Sequence, residues 1–186
     1  MSENIANNLD LGALILKIIQ RTKIMIIRQA TRSDLQDIAA IHIASWKDTY
    51  ADVMPAEFMM AEIDQALAQH WREIEIQNGD VVLVAKEDAL VGFAAVWCRP
   101  LPFIDNLHVK PSHRSKKLGS ALMKALAKEL IKKGHKTAYL WVFESNVNAI
   151  RFYERLGGTQ TEKIHKNIFG YAVPSRKIEW DDLAKI

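Results

Sequence analysis

The sequence is poor in the features that mark several classes of protein. It has one cysteine, Cys98, in 186 residues, so no internal disulfide can form and the thiol count does not point to an oxidising compartment. Its six histidines are scattered without the spacing of a metal-binding motif, and we predict no metal. It has no internal repeat and no low-complexity tract. We therefore expect one continuous unit in the cytoplasm.

The chain also lacks a large excess of charge of either sign. Its 25 basic and 22 acidic residues leave a formal net charge of +3. This mild balance does not call for nucleic acid or an anionic membrane, and we predict neither as a partner. With 49% hydrophobic residues, a chain of this length can bury one substantial core.

The apolar run at residues 9–19 is too short to span a bilayer, and its basic residues follow it instead of preceding it as in a signal peptide. We interpret residues 1–23 as an N-terminal extension that forms a short amphipathic helix on a surface or a partner chain. Alternatively, translation begins at Met25 and the extension has no function. One folded domain is expected over residues 24–186.

Hydrophobic periodicity predicts an α/β unit with the element order β-α-α-β-β-β-α-β-α-β-β. The first helix is expected to begin at Ser33, with Gln36 completing a capping box. The second is expected to run from Phe58 to Gln77. Leucines at four-residue spacing define the third helix, which follows the fourth strand and ends at Gly134.

The turn before this third helix is basic and contains a glycine. A strand-to-helix turn directs unpaired backbone N–H groups and the positive end of the helix dipole at one point, which a diphosphate would fit. Arg114, Lys116 and Lys117 add positive charge. The alternative is that the lysines merely solvate a loop and that Gly119 permits close helix packing.

Two motifs resemble those of the GCN5-related N-acetyltransferases. Arg114-x-x-Lys117-x-Gly119 is similar to the acetyl-CoA loop Arg/Gln-x-x-Gly-x-Gly/Ala, with lysine at the first glycine position. Residues 146–157 resemble the downstream pattern Asn-x-x-Ala-x-x-Phe-Tyr that ends in glycine, and residues 45–50 also match many members. A further departure is Gly158, where members commonly carry phenylalanine, and we expect it to affect local packing only.

The resemblance implies the fold and the activity of this family. The expected fold is a central mixed, mostly antiparallel sheet of about six to seven strands, splayed between strands four and five and flanked by about four helices. The expected activity is transfer of the acetyl group of acetyl-CoA to a primary amine of a small molecule or peptide, by direct attack in a ternary complex. The alternatives are a non-catalytic acetyl-CoA-binding module and nucleic-acid binding through the basic residues 110–117. A homodimer is left open.

The resemblance also implies roles for individual residues. Val109 N–H would donate to the oxyanion, Tyr153 would protonate the leaving thiolate, and Asn146 would bind the pantetheine arm. Tyr153 could instead be a core aromatic residue and Asn146 a helix N-cap. The implied cofactor-binding set is Leu107, His108, Val109, Arg114, Ser115, Lys116, Lys117, Leu118, Gly119, Ser120, Asn146, Ala149 and Tyr153.

The acceptor amine also needs a base, because an ordinary lysine-like amine is charged at neutral pH. The places where several branches of the family carry glutamate hold Phe103 and Trp141 here. The candidate bases are Asp105, expected on the same strand face as Leu107 and Val109, together with His108 and Glu144. The residues expected to form the walls of the acceptor site are Trp46, Tyr50, Phe103 and Trp141. These walls are aromatic and lack an acidic cluster, which suits a modest-sized or peptide amine better than a polycation.

Overall fold

The computed structural model describes residues 24–186, so the interpretation of residues 1–23 lies outside the described part of the chain. The predicted order of strands and helices is confirmed. The elements are β1 (Ile26–Gln29), α1 (Leu35–Thr49), α2 (Ile63–Glu73), β2 (Val81–Lys86), β3 (Leu90–Cys98), β4 (Pro102–Val109), α3 (Leu118–Lys132), β5 (Ala138–Phe143), α4 (Val147–Arg155), β6 (Thr159–Ile168) and β7 (Tyr171–Trp180).

The strands form one seven-stranded sheet in the order β1-β2-β3-β4-β5-β7-β6. Neighbouring strands are antiparallel except β4 and β5, which run parallel and pair only at Phe103 and Tyr139. Beyond that pair the two strands diverge, which leaves a wedge-shaped opening in the middle of the sheet. The predicted fold class, with its splay between strands four and five, is confirmed.

Helices cover both faces of the sheet. On one face, α3 buries the leucine stripe that the sequence predicts, and Leu122, Leu126 and Leu130 are fully buried in a cluster that also includes Tyr153 of α4. On the other face, α1 and α2 pack around Trp71 and Phe93. Each helix is amphipathic because only one of its faces meets the sheet.

The start of α1 differs from the prediction. A 3₁₀ turn, Arg32–Asp34, precedes the helix, and Asp34 organises it in place of Ser33. The Asp34 carboxylate accepts a hydrogen bond of 2.7 Å from Thr31 N–H and two from the Arg28 guanidinium, at 2.7 and 2.9 Å. The turn is capped at Thr31 with the Asp34 carboxylate as its capping-box partner, so the predicted cap at Ser33 is wrong.

The second helix is shorter than predicted. A π-helical turn, Phe58–Glu62, leads into α2, which ends at Glu73 because Ile74 takes an extended conformation with ψ of 130°. The segment up to Gln77 is therefore a connection to β2. Within residues 24–186, no helix has both the length and the apolar character needed to cross a bilayer.

Strand β4 contains an irregularity at Asp105. Its pairing with β3 shifts between Ala95 and Val96, so Asn106 lies opposite Ala95 while Ile104 lies opposite Val96. Asp105 is thus an extra residue on β4, which is the arrangement of a β-bulge. A bulge redirects the side chains on one side of it relative to those on the other.

The bulge changes the face that Asp105 occupies. Its carboxylate accepts a hydrogen bond of 2.8 Å from the Trp97 indole, which packs on the side of α1 and α2. Leu107 and Val109 pack against the cluster beneath α3 on the opposite side. The expectation that Asp105 shares a face with Leu107 and Val109 is therefore wrong.

Candidate active site

A cavity of about 910 Å³ occupies the opening between β4 and β5. At one end it is lined by the turn before α3, and at the other by aromatic residues of α1, β4, β5 and the β6–β7 hairpin. All but two of the predicted site residues line it. The exceptions are Lys116 and Glu144.

The main chain of β4 is open toward this cavity. Lys110 N–H donates to Val91 O of β3 at 2.9 Å. Hydrogen bonding alternates along an antiparallel pair, so the N–H and C=O groups of Val109 and Leu107 point away from β3, toward the gap that β5 has left. Val109 O accepts a bond of 3.2 Å from Arg114 Nε. The Val109 N–H is therefore a donor directed into the opening.

The turn before α3 presents further backbone donors. The first hydrogen bond at this end of the helix runs from Ala121 N–H to Lys117 O at 3.0 Å, so the amides of residues 118–120 precede it. Ser115 and Lys117 have φ values of 62° and 60°, in the left-handed region. Successive amides in such a turn form a concave site suited to an anion. Lys117 thus adopts the backbone conformation that a glycine in the family motif would adopt without strain.

We expect Lys117→Gly to raise the free energy of unfolding by about 0.5–1 kcal/mol. The left-handed conformation costs a non-glycine residue roughly 1–2 kcal/mol, and the extra freedom of glycine in the unfolded chain offsets about half of this. Urea denaturation at pH 7 measures the change. The control is Lys116→Gly, where the replaced residue is outside the left-handed region, and it should lower stability. Stabilisation by both variants would contradict the assignment of strain to Lys117.

Arg114 connects the turn to α1. Its guanidinium forms an ion pair with Asp48 and also holds Val109 O. The predicted contact with a diphosphate would have to coexist with these two bonds. The observed geometry shows Arg114 fixing the position of the turn relative to β4 and α1.

Tyr153 combines the two roles that the sequence leaves open. Its ring is only 9% exposed and meets the edge of Trp180 in the core. Its side chain also lines the cavity, and its hydroxyl has no hydrogen-bond partner in residues 24–186 although it is not sealed from solvent. Burial, with a smaller effect of Tyr50, raises the pKa of the Tyr153 phenol above its usual value. The phenol therefore holds its proton at neutral pH.

Asn146 serves as the N-cap of α4. Its Oδ1 accepts a hydrogen bond of 3.1 Å from Ala149 N–H, and its Nδ2 donates to the Tyr50 hydroxyl at 3.2 Å. A side-chain amide has two N–H groups, so one donor is left for a ligand in the cavity. The capping role is observed, while the role in binding pantetheine stays a prediction.

The candidate base His108 lies beside a second, buried histidine, His42, which was not recognised from the sequence as part of the site. His42 of α1 and His108 of β4 have ring centres 4.5 Å apart. The Trp71 indole donates to His42 Nδ1 at 3.0 Å, which places the His42 proton on Nε2. His108 Nδ1 lies 2.9 Å from Ser45 Oγ. Burial lowers the pKa of both rings, that of His108 to about 3, so both are neutral at pH 7.

Acidification should therefore destabilise the protein through His108. An unfolded histidine titrates near pH 6.5, whereas the folded pKa is about 3, so the unfolded state binds more protons between these values. Stability falls as the pH drops from about 6.5 toward 3, by up to about 1.4 kcal/mol per pH unit for each such group. His108→Gln should show a shallower decline in free energy of unfolding between pH 6.5 and 4. The exposed His165→Gln should match the wild type, and equal slopes in all three would contradict this prediction.

The three candidate bases lie in different environments. Asp105 lines the cavity, and its Oδ2 accepts hydrogen bonds of 2.8 Å from both Trp97 and Asn106. His108 lines the cavity as a neutral ring. Glu144 lies outside the lining and forms ion pairs with Lys163 and Arg176, which lower its pKa. Of the three candidate bases, Asp105 and His108 line the cavity and Glu144 does not.

The predicted aromatic walls also meet at the cavity. Trp46 packs edge-on to Tyr50 and Phe169, with ring centres 5.2 and 5.6 Å apart. Phe103 and Trp141 form a second wall across the opening of the sheet. No group of three or more His, Cys, Asp or Glu side chains within residues 24–186 is placed to hold a metal ion.

Comparison with known proteins agrees with this fold. Residues 40–158 match the model of the Acetyltransferase (GNAT) family, and the chain belongs to that family. An uncharacterised N-acetyltransferase of Bacillus subtilis is 22% identical over 170 residues, covering 86% of this chain and 95% of the relative. A spermidine N(1)-acetyltransferase of Thermoplasma acidophilum is 27% identical over 143 residues, covering 70% and 86%. The crystal structure of a PaiA N-acetyltransferase from Thermoplasma acidophilum with coenzyme A has a TM-score of 0.66 at 22% identity, covering 84% and 99%.

Proposed function

We propose that this chain transfers the acetyl group of acetyl-CoA to a primary amine of a small molecule or peptide, by direct attack in a ternary complex in the cytoplasm. One observation carries the proposal. A single cavity joins the amides before α3 and the open edge of β4 to an aromatic chamber. The Tyr153 hydroxyl, which has no partner within residues 24–186, also opens on this cavity. The walls of the aromatic chamber are Trp46, Tyr50, Phe103, Trp141 and Phe169. This arrangement accommodates an anionic cosubstrate and a second reactant in one space.

The backbone suits each part of acetyl-CoA. The amides of residues 118–120, with the positive end of α3, would bind the diphosphate. The outward N–H and C=O groups of Leu107 would pair with the pantetheine arm as a neighbouring strand would. Acetyl-CoA supplies an acyl thioester whose carbonyl carbon the amine attacks. The Val109 N–H would donate to the carbonyl oxygen as negative charge develops there, a contribution of about 3 kcal/mol for one such donor.

Side chains of the cavity would move the two protons of the reaction. The attacking amine must lose a proton, and Asp105 and His108 are the candidate bases that line the cavity. The departing thiolate must gain one, and Tyr153 holds a proton that its raised pKa prevents from being lost early. The cavity therefore contains a candidate acceptor for the proton of the amine and a candidate donor for the proton of the thiol.

The test is turnover by the purified chain. Acetyl-CoA is mixed with a panel of amines that includes amino acids, peptides with free N-termini and polyamines. We expect release of free CoA thiol together with an acetylated amine identified by its mass. If acetyl-CoA raises the melting temperature but no amine accelerates thiol release, the chain is a binding module and the transfer proposal is wrong. If calorimetry detects no binding of acetyl-CoA at millimolar concentration, both readings are overturned.

A further inference from the structure

A lysine lies in the aromatic chamber at the acceptor end of the cavity. Lys166 of β6 is half-buried and lines the cavity. Its Nζ lies 5.6 Å from the ring centre of Phe103 and 5.2 Å from that of Trp141. The faces of these two rings attract the ammonium group and hold it at the chamber wall.

Lys166 differs from the other lysine and arginine residues of its hairpin. Lys163 and Arg176 pair with Glu144, and Lys177 pairs with Glu179 at 2.7 Å. Within residues 24–186, no carboxylate lies within ion-pair distance of Lys166. The aromatic faces compensate for only part of the hydration that the Lys166 ammonium group loses on burial. Because no carboxylate of residues 24–186 pairs with Lys166, an anion bound in the chamber could form an ion pair with it.

Asp105 supplies the opposite charge in the same cavity. Its Oδ2 is fixed by two hydrogen bonds, and its Oδ1 accepts none from residues 24–186. A ligand with both an ammonium and a carboxylate group could place one near Asp105 and the other near Lys166. A polyamine would instead bring a second positive charge toward Lys166, and like charges in a partly desolvated site repel each other.

We propose that Lys166 is a specificity-determining residue that binds a carboxylate of the acceptor, and that the acceptor is an amine of the amino-acid type. This inference rests on the proposed acetyl transfer and names its substrate class. A carboxylate fits the site better than a phosphate, because phosphate sites combine several donors around three oxygens, whereas this chamber offers one lysine between apolar rings. The chamber walls would accommodate an apolar side chain.

Matched pairs of amines test the proposal. The acceptors are phenylalanine and phenylalaninamide, leucine and leucinamide, and spermidine. For the wild type we expect kcat/KM at least about 10-fold higher for each carboxylate than for its amide, and little turnover of spermidine. A neighbouring carboxamide also makes the amine less basic, so the diagnostic quantity is the change in this ratio on mutation. Lys166→Gln should reduce the ratio about 10-fold with the KM for acetyl-CoA unchanged, and Lys163→Gln should leave it unchanged.

Equilibrium binding separates this inference from the proposed function. Calorimetry compares N-acetylphenylalanine with its amide, for the wild type and for Lys166→Gln, without any turnover. Tighter binding of the carboxylate that is lost in Lys166→Gln supports the carboxylate site even if no amine is acetylated, in which case only the transfer proposal fails. Acetylation of amides or spermidine as fast as amino acids, with a ratio unaffected by Lys166→Gln, would overturn the carboxylate site while acetyl transfer stands.

Discussion

Tyr153→Phe should lower kcat by about 100-fold or more, the usual contribution of a positioned proton donor. The change removes one hydroxyl, which has no hydrogen-bond partner in residues 24–186, and keeps the ring that packs against Trp180. We therefore expect the free energy of unfolding and the affinity for acetyl-CoA to remain near their wild-type values. Steady-state kinetics with a saturating amine, together with urea denaturation, measure the two effects separately.

The matched control is Tyr171→Phe. Tyr171 lies on β7, is 37% exposed and contacts Phe58, outside the lining of the cavity. Its loss of a hydroxyl should leave kcat unchanged. A kcat for Tyr153→Phe within about twofold of the wild type would mean that Tyr153 is a core aromatic residue only, because a general acid contributes roughly 100-fold or more.

Gly158→Ala should destabilise the fold by about 2–3 kcal/mol, the upper part of the usual range for overpacking. An added Cβ would lie 2.5 Å from Ile178 Cγ2 and 2.9 Å from Trp180 Cζ2. Both neighbours are buried on β7, with exposures of 0% and 1%, so neither can move aside into solvent. Urea denaturation should show a lower midpoint with an unchanged slope.

Gly119→Ala is the matched control for this prediction. Its Cβ would meet only the Phe152 ring, at 3.4 Å, and its backbone is helical. We expect a change in stability of less than about 1 kcal/mol, in the stabilising direction that alanine favours in a helix. An equal loss in both variants would contradict the close packing at Gly158. A phenylalanine at position 158 would not fit here, since Ile178 and Trp180 occupy the adjacent space.

The order of elements could be predicted because each helix and strand carries its own periodicity. The stripe of Leu118, Leu122, Leu126 and Leu130 shows α3 directly, and it is buried as expected. The bulge at Asp105 could not be predicted, because an extra residue in a strand leaves the local composition unchanged. The capping box of Thr31 and Asp34 was missed for a related reason: the Asp34 carboxylate is fixed by Arg28, which pairs with it only in the folded chain.

The site was predictable where a motif is contiguous and not where it is assembled by folding. The turn at residues 114–120 stands together in the sequence and forms one end of the cavity. His42 and His108 are 66 positions apart in the sequence, and neither has neighbours that signal the other. Nothing in the sequence indicated that Lys166 belongs to the site, because its placement depends on contacts with the rings of Phe103 and Trp141 that form only on folding.

The unpaired edge of β4 has an evolutionary consequence. Leu107 and Val109 turn their side chains into the core beneath α3 and offer only peptide groups to the cavity. Any apolar residue that fills the same volume would present the same peptide groups. For the proposed cosubstrate site, selection therefore acts on the path of the main chain more than on the identity of the side chains, so descendants can diverge far in sequence while the strand keeps its course.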